Sequence, residues 1–399
     1  MNNPYRSLFD HPGTRSFVLA GLLARLALPM TSIGIITMLA QLRGSYALAG
    51  AVSATFVLTY ALLSPQISRL VDRHGQRRVL PLATAISVLG MALLLLGSGG
   101  PAGDWSLFLG ATLSGFMPSL SAMVRARWTA LYRGQPQLQT AYSLETVLDE
   151  VSFIAGPPLS VGLCVTWFPQ AGPLAAALLL VIGVLALVAQ RSSEPPVLAT
   201  GEAGRDGGSV IGLGEVRLLT LLMVAMGVIV GTVDIVSVAF AAALGQPAAA
   251  SLVLSAYALG SCVAGLVFGA LRLNQPLHRL LLLGGLATAA TTVPLSLVGG
   301  IAGLMAAVLV AGAFFAPTMI VAMSLVERVV PEQRLTEGMT WLLAGLNVGV
   351  AAGAALSGQV LDEGGAQAGF AVALAAGGAV LLVAVLGYWR LRERQSAPA

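Results

Sequence analysis

Apolar runs of about twenty residues, each closed by a short polar break, recur along the whole chain. A helix of that length spans the hydrocarbon core of a bilayer, so the pattern predicts an all-α integral membrane protein with twelve transmembrane helices. The runs lie near 16–40, 47–67, 79–98, 105–124, 139–165 and 172–190, then 215–243, 249–271, 278–298, 301–325, 337–361 and 367–389. One polar stretch, 191–214, is longer than the other breaks and reads SSEPP and GEAGRDGG without apolar periodicity. It divides the chain into two six-helix bundles, 1–190 and 215–399, with 191–214 as a cytoplasmic linker.

Composition narrows the class further. The 399 residues are 57% hydrophobic and 10% charged, with a mean hydropathy of +0.87, whereas roughly a quarter of residues are charged in soluble domains. A soluble globular enzyme is excluded. Every basic residue is arginine, and all but two of the 21 fall on one side of the predicted membrane; Arg43 lies on the other side and Arg25 within the first run. The positive-inside rule then puts both termini in the cytoplasm of a multi-pass protein of the cell membrane. It also accounts for the net charge of +4 without nucleic acid, since no basic patch is interleaved with aromatics. The first sixteen residues carry polar and acidic groups and no small-residue cleavage site, so a cleaved signal peptide is not expected. Cys164 and Cys262 sit in apolar runs and are expected as buried thiols. No cofactor or metal is expected.

The two halves echo each other. Pro118 and Ser119 recur as Pro317 and Thr318, GPPLS at 156–160 aligns with GAALS at 353–357, and in that register Ser143 matches Thr340 and Glu150 matches Asn347. Such a repeat is expected of two bundles related by an axis along the membrane normal.

The densest cluster of charge is SRLVDRHGQRRVL at 68–80, between the second and third runs. With Asp72, Arg73, Gly75, Arg77 and Arg78 in register, it resembles the signature of the major facilitator superfamily, with Ser68 where the family has its first glycine. The matching stretch at 269–281 keeps Gly269, His278 and Arg279 but lacks the acid. Asp72 and Arg73 are expected to cap neighbouring helix ends, with Arg125 or Arg127 joining them. The resemblance implies that this network holds a cytoplasmic gate shut when the transporter opens outward. Gly156 and Pro157 also resemble the superfamily's antiporter signature, whose other glycine positions fall on Ser143, Ser152, Ser160 and Val161. That partial match points to a drug/proton antiporter type and to export.

Acids inside the runs are the candidate chemistry, because a carboxylate in hydrocarbon is costly unless it is paired, hydrated or protonated. The fifth run contains Glu145, Asp149 and Glu150; Glu145 and Asp149 share a helical face, with Glu150 turned about 100° away. Glu145 lies near the inner headgroups, where solvation alone would account for it. Arg25 lies at about the depth of Asp149, and a buried pair with Asp149 or Glu150 is expected, as much to hold helices together as to serve transport. Asp234, in the seventh run, has no base within the runs of its half and is the candidate proton carrier or counter-charge for a cation. Small residues at Gly345, Gly349 and Gly353, and at Ser261, Gly265 and Gly269, read as close helix contacts. His11, His74 and His278 fall outside the runs.

Together these features predict a secondary transporter that exports a small apolar or cationic compound in exchange for protons. A proton-coupled importer, a sugar or metabolite exporter and a non-transporting membrane receptor are the alternatives. An intramembrane enzyme lacks its motif, for there is no HExxH and no phosphate loop. The expected partners are a small-molecule substrate, protons and the lipid bilayer, with no nucleic acid, and the chain is expected to act as a monomer.

Overall fold

A computed structural model describes residues 5–44, 46–99, 103–197, 209–246, 249–271 and 275–396. The middle of the expected linker, 198–208, and Arg272 in the second turn lie outside these residues. Among the described residues the chain is helical and without strands. In order, the helices are α1 (Thr14–Arg25), α2 (Ala27–Arg43), α3 (Tyr46–His74), α4 (Gln76–Gly99), α5 (Trp105–Ser114), α6 (Leu120–Tyr132), α7 (Gln137–Thr166) and α8 (Ala171–Ala189). They continue as α9 (Gly214–Ala243), α10 (Ala249–Ala270), α11 (Leu277–Leu295), α12 (Ile301–Val329) and α13 (Leu335–Ser396), the last broken at Gly365.

Ten segments among the described residues are long and apolar enough to cross a bilayer, and the protein is a multi-pass membrane protein. Two of the predicted spans fall outside that set. The run at 105–124 is split into α5 and α6, because Pro118 has no N–H for the Ser114 carbonyl. That carbonyl is taken instead by the Ser87 hydroxyl at 2.8 Å and the Met117 amide at 3.2 Å. The run at 278–298 becomes α11, where His278 and Arg279 in the first turn and the threonines near its end dilute the apolar stretch. Proline acts a second time between α1 and α2. Pro29 cannot donate to Arg25, four residues back, so one bond of the ladder is missing there, while Leu26 keeps helical φ and ψ and the two helices run on as one span, Thr14–Arg43.

The chain forms two compact units. The first comprises Met1–Leu138, Leu148–Gly207 and Glu332–Thr340, the second Gln139–Val147, Gly208–Pro331 and Trp341–Ala399. In the first unit α8, whose residues are all apolar, packs against α1, α2 and α4, while α3 packs on α2 and α5. Arg43 at the end of α2 caps α4 by donating to the Ser98 and Gly97 carbonyls at 3.0 and 2.8 Å. In the second unit α12 packs on α10 and α11. Its α9 and α13 meet backbone to backbone: a Cβ at Gly349 or Gly353 would run into the Val224 or Val228 carbonyl. Exposed leucines such as Leu19, Leu62, Leu82 and Leu96 are the surface expected of helices solvated by lipid.

Candidate functional site

Arg25 lies at the end of α1, buried and only 5% exposed. Its Nη1 donates to Asp149 Oδ1 at 2.9 Å, and its Nε reaches back to the Gly21 carbonyl at 3.3 Å. The other carboxylate oxygen of Asp149 accepts from Arg125 Nη2 at 2.8 Å, and the Ser121 hydroxyl also donates to Oδ1. Ser121 and Arg125 are one turn apart on α6, so one helical face presents both to the acid. A small pocket adjoins the cluster, lined by Arg25, Tyr60, Met117, Ser121, Asp149 and Phe153 among others.

Arg125 corrects the sequence reading, which ended the fourth run at residue 124 and counted Arg25 as the one base within a run. Helix α6 continues to Tyr132, and Arg125 is completely buried. It was expected to help hold the charged turn; it holds Asp149 instead. The four-residue spacing of Ser121 and Arg125 is the signal that could have found it.

The remaining acids are dispersed. Glu145 is fully buried, not solvated at a headgroup surface, and belongs to the second unit, whereas Asp149 belongs to the first. Glu150 is half-buried. Asp234 is exposed on α9 and makes no hydrogen bond or ion pair among the described residues.

At the far end of α3 the charged turn is built around Gly75, whose φ of +87° is a left-handed conformation suited to glycine. Asp72 accepts from the backbone N–H groups of Thr336 and Glu337 at 3.2 and 2.8 Å. These belong to the first turn of α13, whose amides have no partner within their own helix, so the carboxylate caps a foreign helix and meets the positive end of its dipole. Ser68, in the place of the family's glycine, is buried and lies 2.7 Å from the Thr340 hydroxyl. Arg69 approaches Glu337 at 3.9 Å and Arg133 approaches Glu332 at 3.8 Å. Arg73, Arg77 and Arg78 are exposed and form no ion pair among the described residues, so Arg73 does not share the capping role expected of it.

Arg127 does not join Asp72 either. It is fully buried and donates to Gln76 Oε1 (2.8 Å), the Ser193 hydroxyl (2.7 Å), and the Leu187 and Gln190 carbonyls (3.0 Å each). It thereby ties the end of α8 and the start of the linker to the charged turn. A carboxylate oxygen of Glu194 then accepts from the Arg77 amide at 2.9 Å, at the start of α4. Sequence reading missed this strap, since nothing in RSSEPP announces where it docks.

A profile of the Major Facilitator Superfamily matches residues 17–240 and again 218–399. The chain belongs to that superfamily. As a member it has the fold of a membrane transporter, not of an enzyme, with a small-molecule substrate and the bilayer as its partners. A search of curated proteins returns no match. Among solved structures, the human organic anion transporter MFSD10 (TETRAN) is similar, with a TM-score of 0.69 and 16% identity, covering 94% of this chain and 100% of that one. A bacterial homologue of the iron transporter ferroportin in an outward-facing state has a TM-score of 0.71 at 15% identity, over 94% and 98% of the two chains. The transporter FucP in an outward conformation has a TM-score of 0.67 at 14% identity, over 94% and 99%.

The internal repeat of this facilitator is visible in its packing. In the first unit Gly156 lies against Pro29 of α2, beside Pro157, and Ser160 one turn later donates to the Met30 carbonyl at 2.8 Å. In the second unit Gly353 lies against Val228 of α9, and Ser357 donates to the Thr232 hydroxyl at 2.8 Å. The aligned pentapeptides thus make the same kind of contact in each unit, a glycine for closeness and a serine for a hydrogen bond. The aligned prolines differ, since Pro118 breaks its helix while Pro317 lies within an unbroken α12.

Proposed function

We propose that the chain is a secondary active transporter of twelve transmembrane helices, in bundles 1–190 and 215–399 joined by the linker 191–214, with both termini cytoplasmic. It acts as a monomer in the cell membrane and exports a small apolar or cationic compound in exchange for protons by alternating access. One contrast carries proton coupling. Asp149 is held by two guanidinium groups and a hydroxyl, whereas Asp234 is exposed on a membrane helix without a hydrogen bond or ion pair among the described residues. A carboxylate so placed exchanges protons with its surroundings, and when ionised it supplies a counter-charge for a cation. The partial antiporter motif at Gly156 and Pro157 supports export, and the Asp72 cap on α13 supports a gate at the arginine-rich end. The similar structures carry organic anions or iron in their names, so the shared fold leaves the substrate to the side chains.

The test is a compound panel screened by thermal shift on the purified protein, with the hits then tested for uptake into vesicles under an imposed pH gradient. Accumulation of a lipophilic cation only when the gradient is present is the expected result. Binding without accumulation in either gradient direction would overturn the transport reading in favour of a receptor, and accumulation along with inward protons would make the protein an importer.

A further inference from the structure

An unbroken helix through the fourth run would pair the amides of Ser119, Leu120, Ser121 and Ala122 with the carbonyls of Gly115, Phe116, Met117 and Pro118, four residues back. Because α5 ends at Ser114 and α6 begins at Leu120, none of these four bonds forms, and these amides and carbonyls have no other hydrogen-bond partner among the described residues. The side chain of Ser119, at the cap position, does not serve the amides either. Peptide groups left open at membrane depth are tolerated only where protein buries them or where they line a wet cavity. Here they adjoin the small pocket, which Met117, Pro118, Leu120 and Ser121 line from the broken segment.

The charge beside the same pocket is uneven. Arg25 and Asp149 line it, and Arg125, completely buried, holds the other oxygen of Asp149. Two guanidinium groups thus meet one carboxylate, and the formal charges of the three side chains sum to +1. No other acid lines the pocket: Glu150 is turned about 100° round α7 from Asp149, and Glu145 belongs to the second unit. The open amides add the positive end of the α6 dipole. Water satisfies open peptide groups, but it brings no charge to set against the arginines, and an unbalanced charge at this depth is costly. A small anion does both, accepting from the amides and neutralising the cluster. All the groups involved lie in the first unit.

We propose that the first unit binds a small anion in this pocket, between the open amides at the start of α6 and Arg25. The anion is a free halide or the carboxylate group of a transported compound. This goes beyond the transport reading and uses none of the residues assigned there to proton exchange. The experiment is thermal unfolding of the full-length protein in detergent, titrated with sodium chloride or with sodium acetate, butyrate or hexanoate against sodium gluconate at constant ionic strength. Chloride-35 NMR line broadening reads halide binding directly. Wild type is compared with Asp149→Asn, which leaves the arginines without their competing carboxylate, and with Arg25→Gln, which removes one cation. The expected result is saturable stabilisation of wild type, with an apparent affinity about tenfold tighter in Asp149→Asn and about tenfold weaker in Arg25→Gln, the effect of one unit of charge removed beside the anion. Affinity that rises from acetate to hexanoate assigns the site to the carboxylate of a compound whose chain lies against Leu28, Met117 and Phe153; a series that does not rise assigns it to a free ion. Stabilisation that never saturates, or that is equal in all three proteins, is a general salt effect and would overturn the site, leaving water alone in the pocket. Where a variant does not fold, wild type decides: saturable chloride-35 broadening or saturable stabilisation by a carboxylate supports the site, and the absence of both overturns it. No gradient enters these titrations, so failure of the transport reading and failure of the anion site are told apart.

Discussion

Asp149 sits between two arginines, and this decides which single change costs most. Removing Arg25 or Arg125 leaves the carboxylate one cation, whereas Asp149→Asn removes the negative charge that both arginines face and one of the two oxygens that accept from them. Stranding buried charge typically costs 3–5 kcal/mol, so Asp149→Asn is expected to destabilise the protein by about 3 kcal/mol and by more than Arg25→Ala. Combining Arg25→Ala with Asp149→Asn should recover part of the loss. Thermal unfolding of the four proteins in one detergent checks the order, and a double mutant no better than Asp149→Asn would deny the coupling. At this scale the sequence was partly legible. The match in depth of Arg25 and Asp149 follows from helix rise alone, which is fixed per residue. Arg125 did not follow, because hydropathy ends a run at the first arginine whether that arginine meets water or a buried partner.

Single helices are broken or capped by features that a run-length reading passes over. Pro29 and Pro118 lie inside apolar runs and each removes one bond from its helix, but only Pro118 breaks one; the effect of each depends on what receives the stranded carbonyl, as Ser87 does for Ser114. The α3–α4 turn was legible because its glycine and its charges are local in sequence. That Asp72 caps α13, more than 260 residues away, was not, since only folding brings a carboxylate to a distant helix start. Asp72→Asn keeps the shape and weakens the charge–dipole contact, which is worth about 0.3–1 kcal/mol at an exposed helix end and up to about 2 when partly buried. The variant is expected to fold and bind substrate like wild type while its turnover changes severalfold; weakened binding at unchanged turnover would remove Asp72 from the gate. Gly75→Ala is a stricter case. A Cβ there meets Glu194 Oε1 and Val197 Cγ2, each at 3.2 Å, and the left-handed φ costs about 1–2 kcal/mol for a residue with a Cβ. A fall in thermal stability of that order is expected, and Glu194→Ala in the same background should recover some of it if the strap is what the new methyl group meets.

Over the whole molecule, the repeat of apolar runs and the paired pentapeptides made the fold class readable, because hydrophobicity and small-residue spacing are properties of sequence alone. The assignment of the α7 and α13 starts to units other than those of their own helices was not readable, since it depends on contacts between segments far apart in the chain. Function at this scale turns on Asp234. Asp234→Asn, which mimics the neutral acid, is expected to abolish accumulation driven by a pH gradient while retaining exchange of substrate for substrate. A variant that still concentrates substrate with wild-type pH dependence would return the proton to Glu145 or Glu150. One small departure from the family pattern has a practical consequence. Where a glycine would offer nothing to grip, Ser68 brings an oxygen within 2.7 Å of Thr340. A cysteine pair at these two positions, in a background lacking Cys164 and Cys262, is therefore expected to close under mild oxidant and reopen with reductant. Such a protein could be arrested by redox potential in the state with α13 seated on α3 and released on demand, so that each turnover could be started from a synchronised population.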